Sequence, residues 1–290
     1  MKTAIMADSS SGITQAEAKE LGVFIAPVPV LINEDTFYED LTITQAQYYE
    51  KLRGDADVST SQPNPETVKE MWENALKEYD AVVYVPISSG LSQTCHILAA
   101  TANSDERFKG KVFVADNHRV SVTQRQSVLD ALKMSKEGKP AKEICDYLNE
   151  TGKYSSIYIM VDTLKFLKKS GRLTPAVAAI GTLLKIKPVL QIHGGVLDQS
   201  AKVRKISDAK TMMINAVKKD LQTEFKELAD AGKMSVCIAH TDSLQEAEKF
   251  KDEVQAAFPN VEFSVVNPLS LSVASHIGPG ALAIACTIKY

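Results

Sequence analysis

Short apolar runs alternate with amphipathic stretches almost to the end of the chain, a pattern that predicts strands alternating with helices. The runs predict strands at 3–7, 23–32, 81–86, 111–115, 156–161, 187–193, 235–240, 261–266 and 281–288. Several of the stretches between them carry helix starts. Thr14 followed by Glu17, and Thr44 followed by Gln47, have the spacing of a capping box. Asn64-Pro65, Lys139-Pro140 and Thr174-Pro175 each place a proline where a first helical turn tolerates it. Gly194-Gly195 between two strand-like runs predicts a hairpin. The expected fold class is α/β, with a largely parallel sheet first and a mixed sheet later. The polar stretch Asn149–Ser155 marks a boundary, giving an N-terminal lobe over 1–155 and a C-terminal lobe over 156–290. A cleft between two such lobes is a common place for a ligand.

Composition narrows the class without changing that picture. At 44% apolar and 24% charged residues, the 290-residue chain has the make-up of a soluble globular protein. Its 33 basic and 36 acidic residues leave a formal charge of −3, so there is no electrostatic footprint for nucleic acid or an anionic membrane. No apolar stretch approaches the length of a membrane span, and Asp8 cuts short the apolar start of the chain, so a cytoplasmic protein is expected. Cys95, Cys145, Cys237 and Cys286 stand far apart in apolar surroundings, which suits buried structural thiols in a reducing compartment. His96, His118, His193, His240 and His276 lack metal-ligand spacing, and no metal or cofactor is expected.

Four segments exceed what an α/β scaffold requires. Thr60-Ser61-Gln62-Pro63 precedes the helix that starts near Pro65. Ser88-Ser89-Gly90-Leu91-Ser92 follows a strand and opens a helix, putting hydroxyls and free N–H groups where anions are favoured. An ordinary helix cap by Ser89 or Ser92 accounts for that segment equally well. The stretch from Asp162 through Gly171-Arg172 to Pro188 contains a short helix and a nearly uncharged one over 175–184, an apolar wall that core packing also explains. His276-Ile277-Gly278-Pro279-Gly280 sets a histidine beside a turn whose glycines allow close approach of backbone.

Taken in order, these segments resemble the DegV family. The resemblance covers essentially the whole chain. It begins at Ala7-Asp8-Ser9-Ser10-Ser11-Gly12, and includes Ile186-Lys187-Pro188, Gly194-Gly195-Val196-Leu197, Lys202-Val203-Arg204 and His276 to Ala281. It implies a two-lobed fold that binds a long-chain fatty acid such as palmitate without catalysing a reaction on it. Thr60 and Ser92 match the family's carboxylate-binding positions, with Ser61 a neighbouring candidate. His276 and Arg204 match positions near the acidic end, His276 as a further carboxylate-binding candidate and Arg204 near the head group or facing the partner. The implied partner is a fatty acid kinase resembling dihydroxyacetone kinase, to which the carrier presents the acid. Gln93, Asp116-Asn117, Thr123-Gln124-Arg125 and Ser170 depart from the family pattern.

A serine hydrolase acting on acyl esters is the alternative, with Ser89 or Ser92, His276 and Asp116 as its residues. The sequence has no GxSxG elbow for it. A phosphotransferase would call for a GxxxxGK[ST] loop, which is also missing.

Overall fold

In a computed structural model, the structure describes residues 2–54, 56–172, 186–193 and 195–290. The expected helix over 175–184 and Gly194 of the expected hairpin lie outside these residues. The chain divides into two compact units. The first comprises residues up to Lys153 together with Ser270–Ser272 and Tyr290; the second comprises Tyr154–Leu269 and Val273–Lys289.

The first unit is built on a parallel sheet in the order β2-β1-β6-β7, with β1 at Thr3–Asp8, β2 at Phe24–Ala26, β6 at Ala81–Val85 and β7 at Val112–Val114. Both faces are covered, as parallel sheets require. Ile5 and Ala7 of β1, with Val83 and Val85 of β6, pack against the helices Ser121–Lys136 and Ala141–Thr151. Ala4, Met6, Val82 and Tyr84 face the other way, onto Trp72, Leu98 and Phe108. The continuous apolar runs in β1 and β6 follow from this two-sided burial.

The sequence predicts one strand over 23–32, but the structure breaks it in two. Pro27 and Pro29 have no N–H to give a ladder, so β2 ends at Ala26 and the chain leaves the parallel sheet. It enters a separate antiparallel sheet in the order β4-β3-β5, formed by β3 at Pro29–Ile32, β4 at Asp35–Tyr38 and β5 at Val58–Thr60. β4 and β5 are short and partly polar, which hides them from a search for apolar runs.

Helix starts fit the expected chemistry with one shift. Thr44 and Gln47 form a reciprocal capping box, and Asn64 caps the helix Pro65–Ala75. Pro140 stands at the cap position rather than inside the first turn of Ala141–Thr151.

The second unit holds a six-stranded mixed sheet in the order β10-β9-β8-β13-β11-β12. Its strands are β8 at Ser155–Met160, β9 at Lys187–His193, β10 at Val196–Val203, β11 at Met234–His240, β12 at Glu262–Pro268 and β13 at Leu282–Ile288. Only β11 and β12 pair in parallel. Val236, Ile238, Leu282 and Ile284 on one face pack with Met213, Val217, Phe250 and Val254 of the helices Ile206–Gln222 and Leu244–Ala257. Cys95, Cys145, Cys237 and Cys286 are free thiols in buried positions. Among the described residues no helix is long and apolar enough to cross a membrane.

One packing constraint in the first unit is unusually tight. A Cβ on Gly152 would overlap the backbone carbonyl of Asn117, in the loop after β7. Arg119 of that loop, itself buried, donates to the carbonyl oxygens of Thr151 (2.7 Å) and Gly152 (3.4 Å). Gly152→Ala is therefore expected to lower stability by about 1–3 kcal/mol in urea unfolding. An unchanged unfolding midpoint would show that this loop can yield at no cost.

Candidate functional site

Strand order sets where the first unit can hold a ligand. From β1 the chain turns to β2 on one side, and from β6 it turns to β7 on the other. β1 and β6 are neighbours, so the loops leaving their C-terminal ends part company above the sheet. In open α/β sheets this reversal leaves a crevice where ligands bind. The two loops are Ser9 to Ile13 and Ile87 to Gln93, and the second contains Ser88-Ser89-Gly90-Leu91-Ser92.

Asp8, the last residue of β1, ties these loops together. Its carboxylate is fully buried and accepts hydrogen bonds from the N–H of Ser10 (3.1 Å), the N–H of Ile87 (2.8 Å) and the side-chain amide of Gln124 (3.0 Å). Burial pushes its carboxyl above the ordinary range, while these donors pull it down. The turn beyond Ile87 is closed by Ser88. The Ser88 carbonyl accepts from the N–H groups of Leu91 (3.0 Å) and Ser92 (3.1 Å), and its Oγ accepts from that of Gly90 (3.1 Å). The N–H of Ser89 reaches the carboxylate of Asp116 in the loop after β7 (3.3 Å).

Ser92 does cap the helix Thr94–Ser104 in part, since its Oγ accepts from the N–H of Thr94 (3.3 Å). The same Oγ lies 2.9 Å from the hydroxyl of buried Thr94. Either hydroxyl can donate in that contact; when Thr94 donates through both its N–H and its hydroxyl, both acceptor positions on Ser92 are used. The Ser92 proton is then left to point at a ligand. The hydroxyl can thus cap the helix and donate to an anion at once.

Thr60 and Ser61 belong to the separate antiparallel sheet, which the chain enters after β2. Ala26 pairs with Asp8, so β2 ends level with β1. The N–H of Val28 then donates to Ser9 Oγ (3.1 Å), and the carbonyl of Pro29 accepts from the N–H of Ser61 (3.3 Å). Thr60 is half-buried at the end of β5, opposite Val30, and Ser61 is exposed. Thr60 and Ser61 thus pair with β3, the strand that follows the C-terminal edge of the parallel sheet, while Ser92 stands in the loop after β6.

Two acidic residues and a serine group at this edge have roles that the sequence does not announce. Asp8 enters the sequence reading only as part of the segment that opens the DegV resemblance, with no role of its own. Glu39 accepts from the N–H of Leu271 (2.8 Å) and the amide of Gln45 (2.9 Å), and burial pushes its carboxyl up to about 7. Ser272 lies 3.0 Å from Ser270 and 3.5 Å from Ser10, hydroxyl to hydroxyl. Leu271 is 232 residues from Glu39, and Ser272 is 262 from Ser10, so neither contact leaves a local signal.

His276 and Arg204 belong to the second unit. His276 is in the helix Leu271–Ile277, ahead of the turn at Gly278-Pro279-Gly280. Thr241 braces that turn. Its Oγ1 donates to the Gly278 carbonyl (2.6 Å) and accepts from the N–H of Ala281 (2.9 Å), while its own carbonyl accepts from the N–H of Gly280 (2.8 Å). Gly278 has a left-handed φ of 82°, and a Cβ there would run into the ring of Phe166. The glycine is thus fixed twice, by backbone conformation and by the aromatic ring laid on it. Burial, helped by the charge of Arg172, depresses His276 to about 4, so its ring is neutral near pH 7. Arg204 is exposed at the bend between β10 and the helix Ile206–Gln222. The arginine whose charge acts on His276 is Arg172, which the sequence marks only as part of a family segment.

Comparison with known proteins agrees with this architecture. The model of the DegV family of uncharacterised proteins matches residues 2–289. A DegV domain-containing protein of Halalkalibacterium halodurans is 31% identical, with 99% of each chain aligned. A fatty-acid-binding DegV family protein of Thermus thermophilus is 29% identical and superposes with a TM-score of 0.86, covering 99% of this chain and 100% of its own. DegV of Bacillus subtilis, a fatty acid binding protein, is 28% identical with a TM-score of 0.82 and full coverage of both chains. The chain belongs to the DegV family.

The depressed histidine has a consequence for stability. Between pH 6.5 and about 4 the unfolded chain takes up a proton at residue 276 that the folded chain refuses. This residue therefore makes no demand above pH 6.5 and withdraws stability as pH falls through that window. In urea titrations, His276→Gln is expected to lose less stability than the unsubstituted protein on going from about pH 7 to about pH 4.5. Parallel pH profiles would show that the folded ring protonates as easily as a free one.

Proposed function

We propose that this protein is a non-catalytic cytoplasmic carrier that binds one long-chain fatty acid, such as palmitate, by its carboxylate. It takes no cofactor, and it presents the acid to a fatty acid kinase resembling dihydroxyacetone kinase. The observation that carries this reading is the Ser92 hydroxyl, tied to Thr94 beside the reversal of strand order, where Thr94 can take the donor role and leave the Ser92 proton to a ligand. Thr60, at the end of β5 with Ser61 beside it, is the second hydroxyl of this reading. Fatty acid binding by relatives of 28–29% identity over the whole chain supports the choice of ligand.

The energetics suit a carrier. Hydroxyl and N–H donors make charge-assisted hydrogen bonds to a carboxylate without placing a full counter-charge against it. Each buried methylene contributes about 0.8 kcal/mol, so a long tail supplies roughly 10 kcal/mol before association costs are subtracted. The tail sets affinity and the head sets direction. His276 and Arg204 act at the step of presentation rather than in holding the tail.

Ser92→Ala and Thr60→Ala are each expected to weaken palmitate binding by about 1.5–3 kcal/mol, measured by titration of delipidated protein. Unchanged affinity in the double variant would remove both residues from the site.

The hydrolase reading keeps one observation in its favour. Asp116 and His118 stand 3.5 Å apart, and Asp116 accepts from the N–H of Ser89. Acyl transfer, however, needs a nucleophile paired with its base, and the Ser92 hydroxyl is paired with Thr94. Delipidated protein is expected to show no multiple turnover of p-nitrophenyl esters. Turnover abolished by Ser89→Ala or Ser92→Ala would make the protein an enzyme and overturn the carrier reading.

A further inference from the structure

The carboxylate of Asp8 sits behind the crevice, at the root of both loops that border it. Its donors come from three separate parts of the chain. Ser10 belongs to the loop after β1, Ile87 begins the turn that leads to Ser92, and Gln124 lies in the helix Ser121–Lys136. The orientation of the Gln124 amide is not adjustable. Its nitrogen donates both to Asp8 (3.0 Å) and to the carbonyl of Val85 (3.0 Å), the last residue of β6. A flipped amide would set oxygen against oxygen at both contacts. Asp8 therefore meets three N–H groups whose directions are all fixed.

We infer that Asp8 is a positioning residue for the fatty acid head group: by holding Ile87 and Ser10 at one carboxylate, it fixes the turn that presents Ser92 to the ligand. This rests on the carrier reading and adds to it a residue buried behind the site. The covalent path is short. Ser88 follows Ile87 and accepts from the N–H groups of Leu91 and Ser92, so displacement of Ile87 moves the whole turn. Asp8→Asn keeps the shape of the side chain but replaces one acceptor oxygen by a donor. Either Ile87, or Ser10 and Gln124, must then face N–H with N–H.

The experiment compares an ionised ligand with a neutral one of equal tail length. Palmitate and hexadecanol are titrated into delipidated protein at about pH 7.5, with and without Asp8→Asn. Because the tail supplies most of the affinity for both ligands, a defect confined to the head-group turn should appear with palmitate alone. Asp8→Asn is expected to raise the palmitate Kd by about tenfold or more, the loss of one hydrogen bond to a charged group. The hexadecanol Kd should change by less than about twofold, since its tail burial is untouched. Gln124→Met, which removes one donor and leaves Ile87 on the carboxylate, should shift only the palmitate Kd, by a smaller factor. It also serves if Asp8→Asn does not fold.

Equal weakening of both ligands would make Asp8 a purely structural residue, and unchanged palmitate binding would free Ser92 from it. Either result overturns the inference. Failure of the carrier reading itself would look different: the unsubstituted protein would bind neither ligand.

Discussion

Taking a carboxylate out of water costs several kcal/mol unless hydrogen-bond donors replace the water it loses. Asp8 meets that demand with neutral donors, two backbone N–H groups and one amide. Each donor is fixed by its own element, so the cost of burial is offset only when all three elements stand in one arrangement. The parallel sheet puts the ends of β1 and β6 side by side, and the carboxylate then joins the two loops leaving those ends. Much of the polar architecture at this edge is an extension of that joint. Ser88 ties the next turn to Arg119, Ser89 reaches Asp116, and Ser9 reaches Val28. A hydroxyl-lined edge could not keep a defined geometry if its loops were free to drift.

Some of the residues that depart from the family pattern touch this joint or its surroundings. The side chain of Gln124 supplies one of the donors to Asp8 and closes onto Val85. Its neighbour Arg125 makes a two-pronged ion pair with Glu17. Asn117 donates from its amide to the Pro86 carbonyl (2.9 Å), bracing the strand end from the other side. Gln93 is exposed, so its added side chain has room in solvent. The polar substitutions thus build scaffold behind the crevice.

Local features were legible in the sequence to the extent that their causes are local. Runs such as 81–86 and 281–288 announce strands because burial on both faces selects apolar residues at every position. Thr44 and Asn64 announce helix starts because capping depends on residues two or three places away. Order within the sheet is not local, and the crevice exists only because β1 and β6 are neighbours. The same holds for the pairing of Glu39 with Leu271 and the effect of Arg172 on His276. The break at Pro27 and Pro29 was available in the sequence, but the apolar run around it concealed a change of sheet. Of the candidate site, the residue types and their order could be read; the support beneath them could not.

A carrier that hands its ligand to an enzyme has conflicting requirements, because firm holding and easy reaching of the same carboxylate oppose each other. A buried arginine pair would hold the head strongly, through two-pronged hydrogen bonds that occupy both carboxylate oxygens. Neutral donors avoid this. A hydroxyl such as that of Ser92 binds the ionised acid by roughly 1.5–3 kcal/mol, little beside the contribution of the tail. A change at the head group therefore leaves most of the binding energy in place. Such donors are weak and short, so they orient the acid only if their own positions are fixed. That requirement leads from Ser92 back through Ile87 to the buried carboxylate at the end of the first strand.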